Sequence, residues 1–294
     1  DTHNVHKSID QDITDRIIEQ METAGSDWLR PFSTIGGVPR NVISNKPYQG
    51  INRLLLSLLA DCHLFATYKQ WQDLGAQVRK GSKGFKVVKY GTFEKEASNG
   101  DMETKAYLKG YTVFSANQVD NLPEHIQAQL TKPESSVFCN HAAIDAFISN
   151  TGANITTDNS KPPCYIPSLD LVSMPSTQNF SDNVDGTASE HYYSTLLHEL
   201  THWTGAKHRL DRKSGKRFGD TDYSFEELVA ELGSAFLCSS LGLDVEPRAD
   251  HAKYLNGWLK ALKNDKGLIR EAAKHAQKAV TYLEELQQTQ ALAA

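Results

Sequence analysis

His198-Glu199-Leu200-Thr201-His202 reads H-E-x-x-H, and its neighbours place it on a helix. Thr187 with Glu190 three residues on is a capping box, so a helix is predicted from about residue 188. Tyr193, Leu196, Leu197 and Leu200 follow helical spacing and form an apolar face. His198 and His202, one turn apart, share the opposite face, and Gly205 is placed to end the helix. Two imidazoles at that spacing can hold one Zn2+ ion at about 2.0–2.1 Å each. Glu199 stands beside them as the candidate catalytic base, able to take a proton from water.

A catalytic zinc centre needs a third protein ligand. The next predicted helix, residues 223 to 241, carries Glu226-Glu227-Leu228-Val229-Ala230-Glu231. Leu228, Leu232, Ala235 and Phe236 define its buried face, which points Glu226 toward solvent and puts Glu227 and Glu231 on the flank. This is the E-x-x-x-[DE] arrangement that follows H-E-x-x-H in gluzincins, where one carboxylate binds metal and the other orients a ligand histidine. Glu227 is the preferred ligand and Glu231 the orienting partner, with exchanged roles as an alternative. His208 is a further alternative, because residues 198 to 208 fit the metzincin string H-E-x-x-H-x-x-G-x-x-H. Metzincins also place a methionine turn after that string, whereas Met21, Met102 and Met174 all precede it. Tyr192 and Tyr193 are assigned no catalytic role, and Tyr193 reads as a core residue.

The remainder of the chain is globular in composition. It has 294 residues, 39% hydrophobic and 23% charged, which excludes a disordered chain, a collagen and a long coiled coil. The longest apolar stretch, Leu54 to Ala60, falls far short of the roughly 20 residues of a membrane span. Asp1 to Asp12 are polar and show no leader core. The cysteines, at 62, 139, 164 and 238, form no C-x-x-C pair and read as reduced thiols, so a cytoplasmic protein without a membrane partner is expected.

Charge is spread unevenly. Net charge is −5, yet Arg30 to Phe93 hold ten basic residues against Asp61 and Asp73, a local balance of +8. Arg79-Lys80-Gly81-Ser82-Lys83-Gly84-Phe85-Lys86 is the densest part. Such a loop can bring cations and backbone N–H groups to phosphates. Trp28, Arg30, Tyr48 and Trp71 are interspersed, and aromatics beside cations suit single-stranded nucleic acid, where bases stack. Along the chain, helices are predicted at 11–23, 50–62, 67–74 and 141–150, strands at 84–94, 104–115 and 168–173, and a long final helix at 248–287. Ala97 to Asp101 supply the turn between the first two strands.

These motifs together resemble the ArdC-type antirestriction proteins of conjugative plasmids, related to a region of plasmid TraC primases. The resemblance is carried by Trp28–Phe32, Pro47–Asn52, Leu74–Gly81, Tyr111–Phe114 with Asn117–Val119, Tyr192–Gly205, Glu226–Phe236, and Tyr254 with Trp258-Leu259. It implies an α+β chain in which a small α+β DNA-binding domain, residues 1–125, joins through a linker, 126–140, to a mainly helical zincin-like metallopeptidase domain of gluzincin type, 141–294. It further implies a protein that enters a recipient bacterium with transferred DNA and protects it from restriction. The expected partners are single-stranded DNA, with double-stranded DNA as the second form to test, and an unidentified protein substrate. The rival expectation is a DNA-coating shield whose metal site only braces the fold.

Overall fold

The computed structural model describes residues 8–130, 141–183, 187–213, 221–244 and 251–293. The expected linker and Cys139 therefore fall partly or wholly outside the described residues. In chain order the helices are α1 (Ile9–Ala24), α2 (Gly50–Leu59), α3 (Tyr68–Asp73), α4 (Glu124–Leu130), α5 (His141–Asn150), α6 (Ala188–Thr204), α7 (Thr221–Leu241), α8 (His251–Asn264) and α9 (Leu268–Ala293). The strands are β1 (Arg40–Asn41), β2 (Leu64–Ala66), β3 (Gln77–Val78), β4 (Phe85–Glu96), β5 (Met102–Ser115), β6 (Val119–Asp120), β7 (Asn154–Thr157), β8 (Cys164–Ile166) and β9 (Leu171–Met174).

The first sheet has the order β1-β2-β5-β4, with β1 parallel to β2 and the other pairs antiparallel. Its β4 and β5 continue as a long ribbon, paired from Phe85↔Val113 to Glu96↔Met102. The turn forms where the sequence placed it, with Ala97 N–H donating to the Asp101 carbonyl. β3 and β6 make a two-stranded sheet, and β7-β9-β8 a three-stranded one with β8 on an edge. Two expectations need correction. The strand read at 168–173 is β9, shifted to 171–174, and its neighbour β8 lies in the proline-rich run that the sequence reading left without a strand. The helix read as continuous from 248 to 287 is broken: α8 stops at Asn264 and α9 starts at Leu268. Between them Asp265 Oδ1 accepts from the Gly267 N–H, a local turn that competes with helix.

The largest apolar cluster draws on both sides of residues 126–140. Ile13, Ile17, Met21, Trp28, Phe32 and Leu54 pack with Leu200, Leu228, Phe236, Trp258 and Leu283. A smaller cluster around Trp71, Leu64, Val78, Val119 and Ile126 lies under α3 and the β3–β6 pair. Within the large core, α6 and α7 come very close: a Cβ built on Gly233 would stand 2.6 Å from Thr201 Cγ2. That approach sets the residues of α7 against the H-E-x-x-H face of α6. Among the described residues no helix is long and apolar enough to cross a membrane.

Candidate metal centre

The capping box forms as read: Thr187 Oγ1 accepts from Glu190 N–H while Glu190 Oε2 accepts from Thr187 N–H. It starts α6 in a register that buries His198 and Glu199 and leaves His202 with 14% of its side chain exposed. The two Nε2 atoms converge to 3.0 Å. Glu227 of α7 straddles them, with Oε2 3.3 Å from His198 Nε2 and Oε1 3.2 Å from His202 Nε2. Three donors at zinc-bond length around one tetrahedral centre stand about 3.3 Å apart. The residues present thus fit a divalent ion in spacing as well as in chemistry. Among the described residues His198, His202 and Glu227 are the group close enough to share an ion.

The other ring nitrogens are held from behind. Glu231 Oε1 lies 3.1 Å from His198 Nδ1, an ion-pair distance off the line of a good hydrogen bond. Glu226 Oε1 lies 3.1 Å from His202 Nδ1. Carboxylates in these positions turn each Nε2 toward a shared ion and make it more basic. The solvated position expected of Glu226 is therefore corrected: the residue is buried, because α7 is enclosed on all sides from Glu226 to Cys238. Arg212 adds a bidentate clamp, its Nε and Nη2 donating to Glu226 at 2.7 and 2.8 Å.

Behind Glu231 stands His251, whose Nδ1 lies 3.3 Å from Glu231 Oε2. Trp28 Nε1–H donates to His251 Nε2 at 2.6 Å, which leaves the ring proton on Nδ1, facing Glu231. The backbone N–H of Tyr165, on the edge strand β8, donates to Glu199 Oε2 at 2.9 Å.

Four buried carboxylates, Glu199, Glu226, Glu227 and Glu231, meet one buried guanidinium here. Burial opposes charging of His202, but hydrogen bonds with Glu226 and Glu227 win and push it up to about 10. Burial likewise raises the carboxyl of Glu227, and the two histidines more than reverse this, holding it well below the usual range. Glu231 behaves the same way through His198 and His251. Burial pushes the Tyr223 hydroxyl up, and its contact with Glu227 and the charge of Glu199 add to this. Tyr223, Arg212 and His251 are site residues that the sequence reading missed.

The remaining candidates are scattered. His208, the alternative donor, is exposed, has its Nε2 3.2 Å from Asp170 Oδ2, and is not in the group of His198, His202 and Glu227. Trp28 and Trp71 are fully buried, and Trp71 Nε1–H donates to the Phe114 carbonyl, so neither offers a ring to a base. Arg79 is engaged with Asp120 and with the Asn117 and Val119 carbonyls. Arg30 pairs with Asp27 at 3.2 Å. Lys80, Lys83 and Lys86 are exposed, and Tyr48 is half-buried against Phe65. A 660 Å³ hollow beside the loop is lined by Tyr68, Arg79, Lys80 and Phe114.

Residues 142–275 match the zincin-like metallopeptidase family, and residues 7–114 match the N-terminal domain of the anti-restriction factor ArdC. The uncharacterized protein y4eC of Sinorhizobium fredii (strain NBRC 101917 / NGR234) is 38% identical over 92% of this chain and 90% of its own length. The DNA primase TraC of Escherichia coli is 32% identical over 97% of this chain but only 28% of its own length. The crystal structure of the antirestriction ArdC protein from plasmid R388 in its metal-free form superposes with a TM-score of 0.79 at 40% identity, covering 96% of this chain and 98% of that one. Its Mn(II)-bound form gives 0.76, covering 95% and 98%.

Proposed function

The chain belongs to the ArdC family of antirestriction proteins, and on that premise we propose a protein that binds DNA entering a recipient bacterium, single strands in preference, and works there as a zinc metallopeptidase. The observation that carries the peptidase reading is the convergence of His198, His202 and Glu227 beside the buried Glu199. The Mn(II) form of the R388 relative supports a divalent ion at this centre. When bound, the ion supplies Lewis acidity to a scissile carbonyl and to water. Glu199, oriented by the Tyr165 N–H, takes a proton from the attacking water and passes it to the leaving amine as the C–N bond breaks. Tyr223, which contacts Glu227, would donate its O–H to the oxygen on which negative charge develops. Glu226 and Glu231 hold the histidines.

Residues 1–125 are proposed to hold the DNA, with Lys80, Lys83 and Lys86 as phosphate contacts, and residues 141–294 to form the peptidase unit. The proposed place of action is the cytoplasm. Metal content is the first test. His198→Ala and Glu227→Ala should lose the ion while His208→Ala keeps it; full occupancy in Glu227→Ala overturns the ligand set. Glu199→Ala should bind the ion and fail to protect DNA. Full protection by that variant would favour the DNA-coating shield instead.

A further inference from the structure

The β4–β5 ribbon sorts its side chains by face. Residues directly opposite in an antiparallel pair share a face, and successive residues alternate. The register pairs Val87 with Tyr111, Lys89 with Lys109, Gly91 with Tyr107, Phe93 with Lys105 and Lys95 with Glu103, all on one face. That face carries four lysines and one glutamate, with three aromatic rings between them in rows about 6.8 Å apart. The other face holds Glu94 and Glu96 near the tip and Val88, Tyr90 and Leu108 toward α9.

The rings are set for access. Phe93 is 47% exposed, and Tyr107 and Tyr111 are each 37% exposed. A Cβ on Gly91 would stand 2.4 Å from Tyr107 Cζ, so the ring lies across the ribbon where a glycine makes room. Its centroid is 6.3 Å from that of Phe93. At the foot of the same face Tyr48 packs with Phe85 and Val113. Lysines along a ribbon also discourage edge pairing. That role leaves unexplained the exposed rings and a glycine positioned to seat one of them.

We propose that this face is a docking strip for single-stranded DNA, with bases on Tyr111, Tyr107 and Phe93 and phosphates at Lys89, Lys95, Lys105 and Lys109. The inference rests on the DNA-binding reading above and moves the main contact from the Arg79–Lys86 loop onto the ribbon. Cations meet the backbone, and ring faces meet bases that only an unpaired strand exposes. Glu94 and Glu96 point away from the strand, so the charges on the ribbon are complementary to it on one side only.

The test is titration of the full chain with a labelled single-stranded oligonucleotide and with a duplex of the same sequence, over a range of salt. Y107A/F93A should weaken single-strand binding by roughly 5- to 150-fold for each ring removed and leave duplex binding unchanged. Neutralising Lys89, Lys105 and Lys109 to Gln should flatten the single-strand salt slope by about 0.7 per lost contact. Lys80→Gln with Lys83→Gln should have the smaller effect. Metal content serves as the folding control, since all substituted side chains are exposed. If wild type binds neither nucleic acid, the DNA-binding reading itself fails. If wild type binds and both ribbon variants match it, the strip is overturned and the DNA-binding reading stands. A dimer in wild type that Y107A/F93A dissolves would make the face a contact between two copies, which also overturns the proposal.

Discussion

Glu226 stands between His202 and Arg212, 3.1 Å from the imidazole Nδ1 and 2.7 Å from the guanidinium Nε. Arg212 also donates to the Thr201 carbonyl at 2.7 Å, near the end of α6. A cation there complements the C-terminal end of the helix dipole. One buried arginine thereby fixes both the carboxylate beside His202 and the end of the helix that carries this histidine.

Glu226→Gln should separate these duties. It keeps an acceptor but removes the charge that matches Arg212, in a pocket where both are buried. Unpairing a buried ion costs about 3–5 kcal/mol. Losing an orienting carboxylate lowers metal affinity about 10- to 100-fold. Urea unfolding of the metal-free protein and chelator competition measure the two. Wild-type values in both would mean that Arg212 and Glu226 only happen to lie side by side.

Trp28→Phe tests the reach of the centre in the other direction. The change removes the N–H that donates to His251 Nε2 and leaves that nitrogen buried without its donor. The loss expected is about 1–3 kcal/mol of stability. Because His251 orients Glu231 and Glu231 orients His198, metal affinity should fall several-fold as well. DNA affinity should not change, since the ring is fully buried. Weaker DNA binding with intact metal affinity would restore Trp28 as a stacking residue.

The candidate metal donors were legible because their geometry is local. A capping box, two histidines one turn apart and two glutamates four apart each need only helical spacing, and α6 and α7 supply it. Glu226 was misread because counting faces presumes a solvated side, whereas α7 has none between residues 226 and 238. The Trp28–His251 bond joins residues 223 apart in the chain, and no local pattern announces it. Tyr223 was hidden for the same reason: it reaches the centre from the first turn of α7, where spacing alone gives a tyrosine no role.

Tyr223→Phe should lower kcat for peptide hydrolysis about 100-fold, the scale on which one oxyanion donor acts. Metal content should stay at wild type, because the tyrosine is outside the ligand group. Loss of the ion would make the hydroxyl a structural contact of Glu227. Wild-type kcat would remove it from the reaction.

Asp170 sets an acid limit outside the candidate donor group. Hydrogen bonds from Arg209 are the main reason that its carboxyl is lowered to about 2, against the opposing effect of burial and with a further hydrogen bond from Tyr165. A carboxyl depressed on folding adds stability above its unfolded pKa, about 3.9, and that contribution disappears as pH falls through the folded value. Asp170→Asn lacks it at every pH, and Asn tolerates the left-handed backbone there, φ 48°. Urea midpoints of the two metal-free proteins should differ at pH 7 and converge between about pH 4 and pH 2. A gap that widens with acid contradicts the assignment.

Gly233 and Gly257 should respond to alanine with opposite signs. Both lie inside helices, α7 and α8, where replacing Gly by Ala favours helix by up to about 1 kcal/mol. Around Gly257 a Cβ meets nothing within 4 Å, so Gly257→Ala should stabilise by about that amount. At Gly233 the new methyl would stand 2.6 Å from Thr201 Cγ2 and 2.9 Å from its Oγ1, which donates to the Leu197 carbonyl. Neither helix can give way cheaply in a packed core, and overpacking costs about 1–3 kcal/mol. The metal donors are divided between the same two helices, His198 and His202 on α6 and Glu227 on α7, so a forced separation lengthens the 3.2 and 3.3 Å spacings between them. Gly233→Ala should therefore lose both stability and metal affinity, read by urea unfolding and chelator competition, with Gly257→Ala as the matched control. Stabilisation at both positions would mean that α6 and α7 slide freely, and the close approach would then not be what sets the centre.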